Sequence, residues 1–371
     1  RDWSSDVCSS DLVTSYEDIS ALVARGVFTN FFAPAIVVYT GYEYMKRVGG
    51  PLRLTAGPTR VVGTLLDVRD LELAEDWERM ALARRAAGCR RERGLTPRKW
   101  SEEKARAARH ADDLRRMYRA ICSSAALDDL VTISAYSAES IRVRTGTSAL
   151  IHELYAPEKE RAAPEPFTWP GIDPGREPFA LVMNAGREEK NAAGAVAAFD
   201  RLFSDAAFVA AHPDLKVVIT GIARIEDVGI DPPVHAGRFV ALPHLPSARL
   251  EYLLSRARFL AYVSFNEGFG YPPLEAMHHG TPSLVGNNTS VPEVCGAAAV
   301  WCDPFDLASI EEGIRAILAA PPSAEAMRRR FEEVSARQRG DMARLAGMIC
   351  RPADAARIDR GSGDVRLARA A

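Results

Sequence analysis

Apolar residues in this chain gather in short runs of four to seven, set apart by longer stretches of mixed polarity. Beyond residue 178 the pattern is regular. Phe179 to Asn184, Lys216 to Thr220, Arg238 to Ala241, Phe259 to Phe265 and Ser283 to Gly286 have the length and residue types of buried strands. Between and after them Ala192 to Phe203, Ser247 to Arg256 and Ile310 to Ala319 read as helices, with another helix starting at Glu275 to His279. Strands alternating with helices predict a parallel, doubly wound α/β sheet.

Upstream the pattern is less even. Residues 13–63 alternate apolar runs with turn residues: Ala35 to Tyr39 and Val61 to Leu66 read as strands, with a short helix from Tyr42 to Val48 between them. In residues 71–120, 23 of 50 positions are charged, with 14 bases against 9 acids, which predicts two charged helices broken near Gly94 to Pro97. Leu130 to Ser134 reads as a further strand, followed by a helix from about Ser137. Five prolines between Pro164 and Pro178 mark a linker. The expected organisation is an amino-terminal domain over 13–163 carrying the charged insertion 71–120, a linker at 164–178, and a carboxyl-terminal domain over 179–350. A charged helix from Ser323 to Arg339 precedes a tail, 351–371, whose Ala, Arg and Asp content predicts poor order. Residues 1–12, RDWSSDVCSSDL, resemble a translated adapter oligonucleotide and are set aside as non-native.

A length of 371 residues suggests about two domains, and a net charge of −2 gives no reason to expect nucleic acid. No segment is long and apolar enough to span a bilayer. The six cysteines show no C-x-x-C and no metal-ligand spacing, which fits a reduced, cytoplasmic setting.

Chemistry concentrates in Phe265-Asn266-Glu267-Gly268-Phe269-Gly270-Tyr271-Pro272-Pro273-Leu274-Glu275-Ala276-Met277. An apolar run stops at a carboxylate, two glycines flank an aromatic, and a second carboxylate stands eight positions after the first. The prolines suit a first helical turn, where a missing N–H costs nothing. The segment therefore reads as strand, tight turn and helix, with Glu267 at the strand's carboxyl end and Glu275 in the first turn. In an open α/β sheet that edge binds ligands. The glycines admit a ligand to the backbone, and a helix start offers N–H groups to phosphate. The acids would repel phosphate, so they suit neutral hydroxyls instead. A ligand with hydroxyls at both ends and phosphate between is a nucleotide sugar.

The run E-G-F-G-Y-P-P-L-E-A-M, followed by H-H-G-T-P-S-L-V-G-N-N-T-S-V-P-E-V-C-G and D-P-F-D, closely resembles the carboxyl-terminal domain of retaining family 4 glycosyltransferases over about Phe179 to Leu318. Thr132 to Ser137 is similar to the element that ends the family's amino-terminal domain. The resemblance implies the GT-B fold, two Rossmann-like domains facing across a cleft, here with the first incomplete because the family's Gly-rich first loop is absent. It implies that Glu267 holds hydroxyls of the transferred sugar while the Gly268, Phe269 and Gly270 backbone closes around sugar and phosphate. Glu275 would bind the nucleotide ribose, and Lys190 and Arg187 would neutralise the donor diphosphate. Arg187 stands closer to Lys190 than the family pattern leads one to expect. Leu66 occupies the place of a histidine that meets the donor sugar in many relatives. No metal and no cofactor are implied beyond the nucleoside-diphosphate sugar itself. The acceptor would be a glycan or a lipid-linked saccharide of the cell surface.

Plainer readings stand beside these. His278 and His279 are adjacent on a helix and point to different faces, which disfavours a shared metal. Cys295 and Cys302 read as small core residues, and Asp303-Pro304-Phe305-Asp306 as a helix start. The base excess in 71–120 suggests peripheral contact with an anionic membrane at its inner face, although solvated helices are the commoner cause of such runs. Alternatives to a glycosyltransferase are a truncated, non-catalytic nucleotide-sugar-binding module and a GT-B sugar-nucleotide epimerase.

Overall fold

The computed structural model describes residues 30–33, 60–122 and 128–350. The adapter-like start, the expected strand 35–39, the helix 42–48 and the tail 351–371 lie outside them. The chain divides into two compact units, one formed by Arg1–Val68, Asp113–Tyr155 and Gly340–Ala371, the other by Arg69–Asp112 and Ala156–Arg339.

The elements in chain order are β1 (Asn30–Ala33), β2 (Arg60–Thr64), α1 (Arg69–Glu75), α2 (Trp77–Ala86), α3 (Arg90–Arg93), α4 (Pro97–Cys122), β3 (Asp129–Thr132), α5 (Ala135–Thr145) and β4 (Ile151–Glu153). They continue with β5 (Phe179–Val182), α6 (Ala192–Phe203), α7 (Ala206–Ala211), β6 (Lys216–Thr220), β7 (Phe239–Leu242), α8 (Ser247–Arg256) and β8 (Phe259–Tyr262). The last are α9 (Tyr271–His278), β9 (Ser283–Gly286), α10 (Val291–Cys295), β10 (Val300–Cys302), α11 (Leu307–Ala319) and α12 (Ala324–Cys350).

In the first unit β1 to β4 form a parallel sheet in sequence order. Val62, Val131 and Leu154 pack with Met348 in its core. Ser134 caps α5 by accepting from the Ser137 N–H at 3.0 Å, which removes one orphan donor of that helix.

The second unit carries a six-stranded sheet, ordered β10-β9-β8-β5-β6-β7, with every neighbouring pair parallel. Its four- and five-residue strands are almost wholly apolar because helices cover both faces. Ala180, Val182, Phe259 and Ala261 point to one face, where they meet Ala195, Phe199, Ile310 and Ile314 of α6 and α11. Phe179, Leu181, Leu260 and Tyr262 point to the other, against Leu253 and Leu254 of α8, Ala276 and Met277 of α9, and Met327 of α12. Each Val, Leu, Ile, Phe or Met among them sealed from water contributes about 1.5–3 kcal/mol of transfer free energy. Strand order reverses direction between β5 and β8, so the chain leaves those two neighbours toward opposite sides. That leaves a crevice at their carboxyl ends, the place where sheets of this kind bind ligands.

Two boundaries differ from those expected. The charged segment does not sit wholly in the first unit: residues 69–112 cluster with the second, because Ala87 and Cys89 join the apolar cluster under α6 and Cys89 bridges to Ile230. The proline-rich segment is no free linker either. Trp169 and Ile172 exchange backbone hydrogen bonds at 2.9 and 3.0 Å, and Ile172, Phe167 and Trp169 pack on the sheet's second face. Its aromatic and aliphatic residues outweigh its prolines.

Candidate functional site

The loops after β5 and β8 meet at the crevice. After β5 the chain turns at Asn184 (φ 58°), makes a single 3-10 turn over Glu188–Lys190, and enters α6 through Asn191 (φ 51°). Asn191 tolerates that left-handed backbone because its short amide bonds locally. Its Oδ1 accepts from the Gly194 N–H at 3.2 Å, and its Nδ2 donates to the Pro304 carbonyl at 2.8 Å. Lys190 is thus fixed at the end of a tight turn, its own N–H bonded to the Arg187 carbonyl.

After β8 the apolar run continues without pairing as strand. Phe265 donates its N–H to the Glu189 carbonyl at 2.8 Å and accepts from Asn288 Nδ2 at 2.6 Å. The Glu267 N–H donates to Thr289 Oγ1 at 3.2 Å, and Ser290 Oγ donates to the Glu267 carbonyl at 2.8 Å. Thr289 holds a left-handed backbone (φ 57°), which a β-branched residue adopts only under constraint. Gly270 (φ 95°) ends the loop and precedes α9, whose first turn contains Pro272 and Pro273. The helix starts four residues earlier than expected, so Glu275 lies beyond its first turn.

Glu267 and Lys190 meet. Lys190 Nζ lies 2.6 Å from Glu267 Oε1, with both side chains less than a tenth exposed. The same ammonium donates to the Tyr262 hydroxyl at 2.9 Å, and Ser264 Oγ donates to Glu267 Oε1 at 2.5 Å. Burial pulls the lysine below its usual range, and the Glu267 charge partly restores it. Burial, then the same carboxylate, pushes the Tyr262 phenol far up. Tyr262 and Ser264 escape notice in the sequence because they read as ordinary members of a buried apolar run.

The other expected residues take different positions. Gly268, Phe269 and Gly270 are buried in the loop, with the Phe269 ring 5.1 Å from that of Tyr271. Arg187 is half exposed and ion-paired with Glu189, yet its charge is among those that depress Lys190. Glu275 is held by Lys159 Nζ at 2.8 Å, on a segment tied down where Tyr271 Oη donates to the Pro157 carbonyl. It does not touch the Lys190–Glu267 pair, although its charge is felt at Tyr262.

Helices α1 and α2 reach these two loops and the one after β10. Asn266 Nδ2 donates to Glu72 Oε2 at 2.6 Å, with both residues buried. Arg84 pairs with Glu92 at 2.9 Å and reaches Glu188 at 3.7 Å. Arg79 lies 3.7 Å over the Phe305 ring, which itself stacks on Phe265. Asp306 caps α11 by accepting from the Ala308 N–H, as a helix-starting motif should. His278 and His279 part company: His279 Nε2 bonds Glu251 at 2.6 Å, while the His278 ring packs on Phe331. Among the described residues no group of three or more His, Cys, Asp or Glu is arranged to hold a metal. Cys295 and Cys302 are buried and unpaired, with both thiols pushed up to about 12 by burial.

Residues 170–334, which contain both loops and their pair, match the family described as Glycosyl transferases group 1. This segment is a group 1 glycosyltransferase domain. Over 73 residues the chain is 47% identical to O-antigen chain mannosyltransferase B of Escherichia coli, covering 20% of this chain and 19% of that protein. Over 173 residues it is 33% identical to a glycogen synthase of Mycobacterium tuberculosis, covering 42% of this chain and 40% of the relative. The chain therefore spans well under half the length of either relative. Sucrose-phosphate synthase from Thermosynechococcus elongatus superposes with a TM-score of 0.59 over 90% of this chain and 76% of its own, at 14% identity. The parallel α/β fold of the group 1 domain and its companion unit is that of GT-B glycosyltransferases. No helix among the described residues is long and apolar enough to cross a membrane.

Proposed function

We propose that the protein is a metal-independent, retaining glycosyltransferase, moving a sugar from a nucleoside-diphosphate sugar to a glycan or lipid-linked acceptor in cell-surface polysaccharide assembly. The observation that carries this reading is the buried Lys190–Glu267 pair at the crevice between β5 and β8, inside a group 1 domain. The mannosyltransferase names of several relatives favour a mannosyl donor.

As the glycosidic bond breaks, negative charge grows on the departing diphosphate. Lys190 and the nearby charge of Arg187 stabilise it there, together with the N–H groups that open α6, more in the transition state than before it. Two cations in that place do the work that a metal ion does elsewhere. Glu267, once Lys190 turns to phosphate, accepts hydrogen bonds from sugar hydroxyls, and Glu275 accepts them from the ribose. The donor phosphate takes the acceptor's proton on the same face of the sugar, which retains configuration without a protein nucleophile. The chemistry would take place in the cytoplasm, with contact at the inner membrane face where the acceptor is lipid-linked.

A thermal-shift screen of UDP-, GDP- and ADP-sugars, mannosyl and glucosyl members included, tests the reading. One base series should raise Tm, because a ligand of the folded state at a hundred times its Kd adds about 2.7 kcal/mol. Glu267→Ala and Lys190→Ala should each abolish transfer. A protein that binds no donor in any series would sink the proposal. Binding without hydrolysis or transfer would leave a nucleotide-sugar-binding module in its place.

A further inference from the structure

We propose that Glu72 is a positioning residue for Glu267, a role whose catalytic meaning rests on the glycosyltransferase reading above. The loop Phe265–Asn266–Glu267 is held at successive residues from different directions. Glu189 and Asn288 hold the backbone of Phe265, and Thr289 and Ser290 hold that of Glu267. All four lie inside residues 170–334. The side chain of the middle residue is held from outside that segment, by Glu72 of α1 at 2.6 Å.

That contact has the marks of a specified interaction. Glu72 is 2% exposed and Asn266 3%, so the carboxylate has given up its water to be there. An anionic acceptor at that distance makes a hydrogen bond about twice as strong as a neutral pair. Its direction is determined, because a carboxylate accepts from the amide nitrogen and leaves the amide oxygen turned away. Asn266 Oδ1 is buried without a hydrogen-bond partner in the structure, so local packing alone does not explain the orientation of this amide. Asn266 adjoins Glu267, and rotation about the intervening backbone would move the Glu267 carboxylate relative to Lys190. Arg84 on Glu188 and Arg79 on Phe305 brace the neighbouring loops from the same pair of helices. Residues 69–93 therefore act as a brace across the donor loops, with Glu72 as the contact nearest the chemistry.

The test uses the full-length protein with Glu72→Ala, Glu72→Gln, Asn266→Asp and the double variant Glu72→Gln/Asn266→Asp. Glu72→Ala should lower kcat about 10- to 100-fold with little change in donor KM, since a displacement of an ångström costs about that much. Asn266→Asp should be as damaging, because two buried carboxylates then face each other. The double variant exchanges donor and acceptor and should recover most of the lost kcat. A second readout does not depend on turnover: amide exchange at Phe265 to Gly270 should quicken about tenfold or more in Glu72→Ala and recover in the double variant. Loss of Tm with unchanged kcat and unchanged loop exchange overturns the proposal, as does failure of the double variant to rescue either readout. If the parent protein transfers no sugar, the function proposed above fails, while the exchange measurement still decides whether Glu72 positions the loop.

Discussion

Lys190 and Glu267 are both nearly sealed from water, so deleting either strands the charge of the other. At 2.6 Å and an effective dielectric of about 20, their gross attraction is about 6 kcal/mol, most of it already set against the desolvation of two ions. Lys190→Met removes the attraction and leaves Glu267 desolvated with neutral hydroxyl partners, Ser264 and Tyr262, in place of the ammonium. The expected cost is about 3 kcal/mol, or roughly 4 °C in Tm for a chain of this size. Glu267→Gln should cost a similar amount, because Lys190 then has only neutral acceptors, the Tyr262 hydroxyl and the new amide oxygen, in place of a carboxylate. The double variant carries neither ion, so its cost should fall short of the sum by about 2 kcal/mol or more. Urea unfolding of the four proteins at pH 7.5 measures this coupling. Turnover should be lost in all three variants, which separates the stability of the pair from its chemistry. Costs that add within about 0.5 kcal/mol, or single variants that unfold with the parent, would refute the buried pair.

Other consequences can be tested as directly. Lys190 titrates below its ordinary 10.5, so kcat/KM should fall on an alkaline limb centred below that value; a flat profile through pH 10.5 would contradict its role. A lysine whose folded pKa is depressed opposes folding below that pKa, and its penalty fades as pH rises to the unfolded value. This group alone should therefore make the protein more stable with rising pH in that window. Asn191→Ala loses a helix cap and forces alanine to φ 51°, together about 2–3 kcal/mol, whereas Asn191→Gly should cost much less; equal unfolding midpoints would argue against the strained turn. Gly270→Ala places a methyl at φ 95° and 3.4 Å from Val291 Cγ2, an expected loss of about 1–2 kcal/mol read by calorimetry. Glu275→Gln should weaken nucleotide binding about tenfold in titration calorimetry while leaving kcat nearly unchanged; an unaltered Kd would remove Glu275 from the nucleotide site.

Much of the second unit was legible because its strands are sealed on both faces and read as apolar runs. Ala192 to Phe203, Lys216 to Thr220, Ser247 to Arg256 and Ser283 to Gly286 match the observed elements residue for residue. The overlong strand to Phe265 shows the limit of that signal. Val263, Ser264 and Phe265 are as buried as β8, but they face loops rather than neighbouring strands, and burial alone does not distinguish the two. The three-residue strands β4 and β10 are too short to carry a periodicity. Glu267 was readable because an acid at the end of an apolar run is conspicuous, whereas Lys190 was reached only through the resemblance of its loop to the family's. Glu72 was not: it is one carboxylate in a stretch where nearly half the residues are charged, and only its partner distinguishes it. Nor does charge patterning show which core a solvated helix docks on, which is why 71–120 was expected whole in the first domain although 69–112 clusters with the second unit.

The second unit is built from two stretches of chain separated by part of the first. During synthesis on the ribosome, α1 to α3 emerge about 200 residues before β10, which completes the sheet they lie against, a delay of about 10–40 s at ordinary elongation rates. Until then Ala87 and Cys89 have no apolar cluster to enter, and the charged surface of that stretch keeps it in solution. The bracing of the crevice would then be a late event in maturation, and a segment beginning at residue 164, expressed alone, would present an uncovered apolar face under α6. Supplying residues 69–112 as a separate polypeptide and asking whether the two fragments assemble would show how much of the crevice is inherited from the earlier stretch.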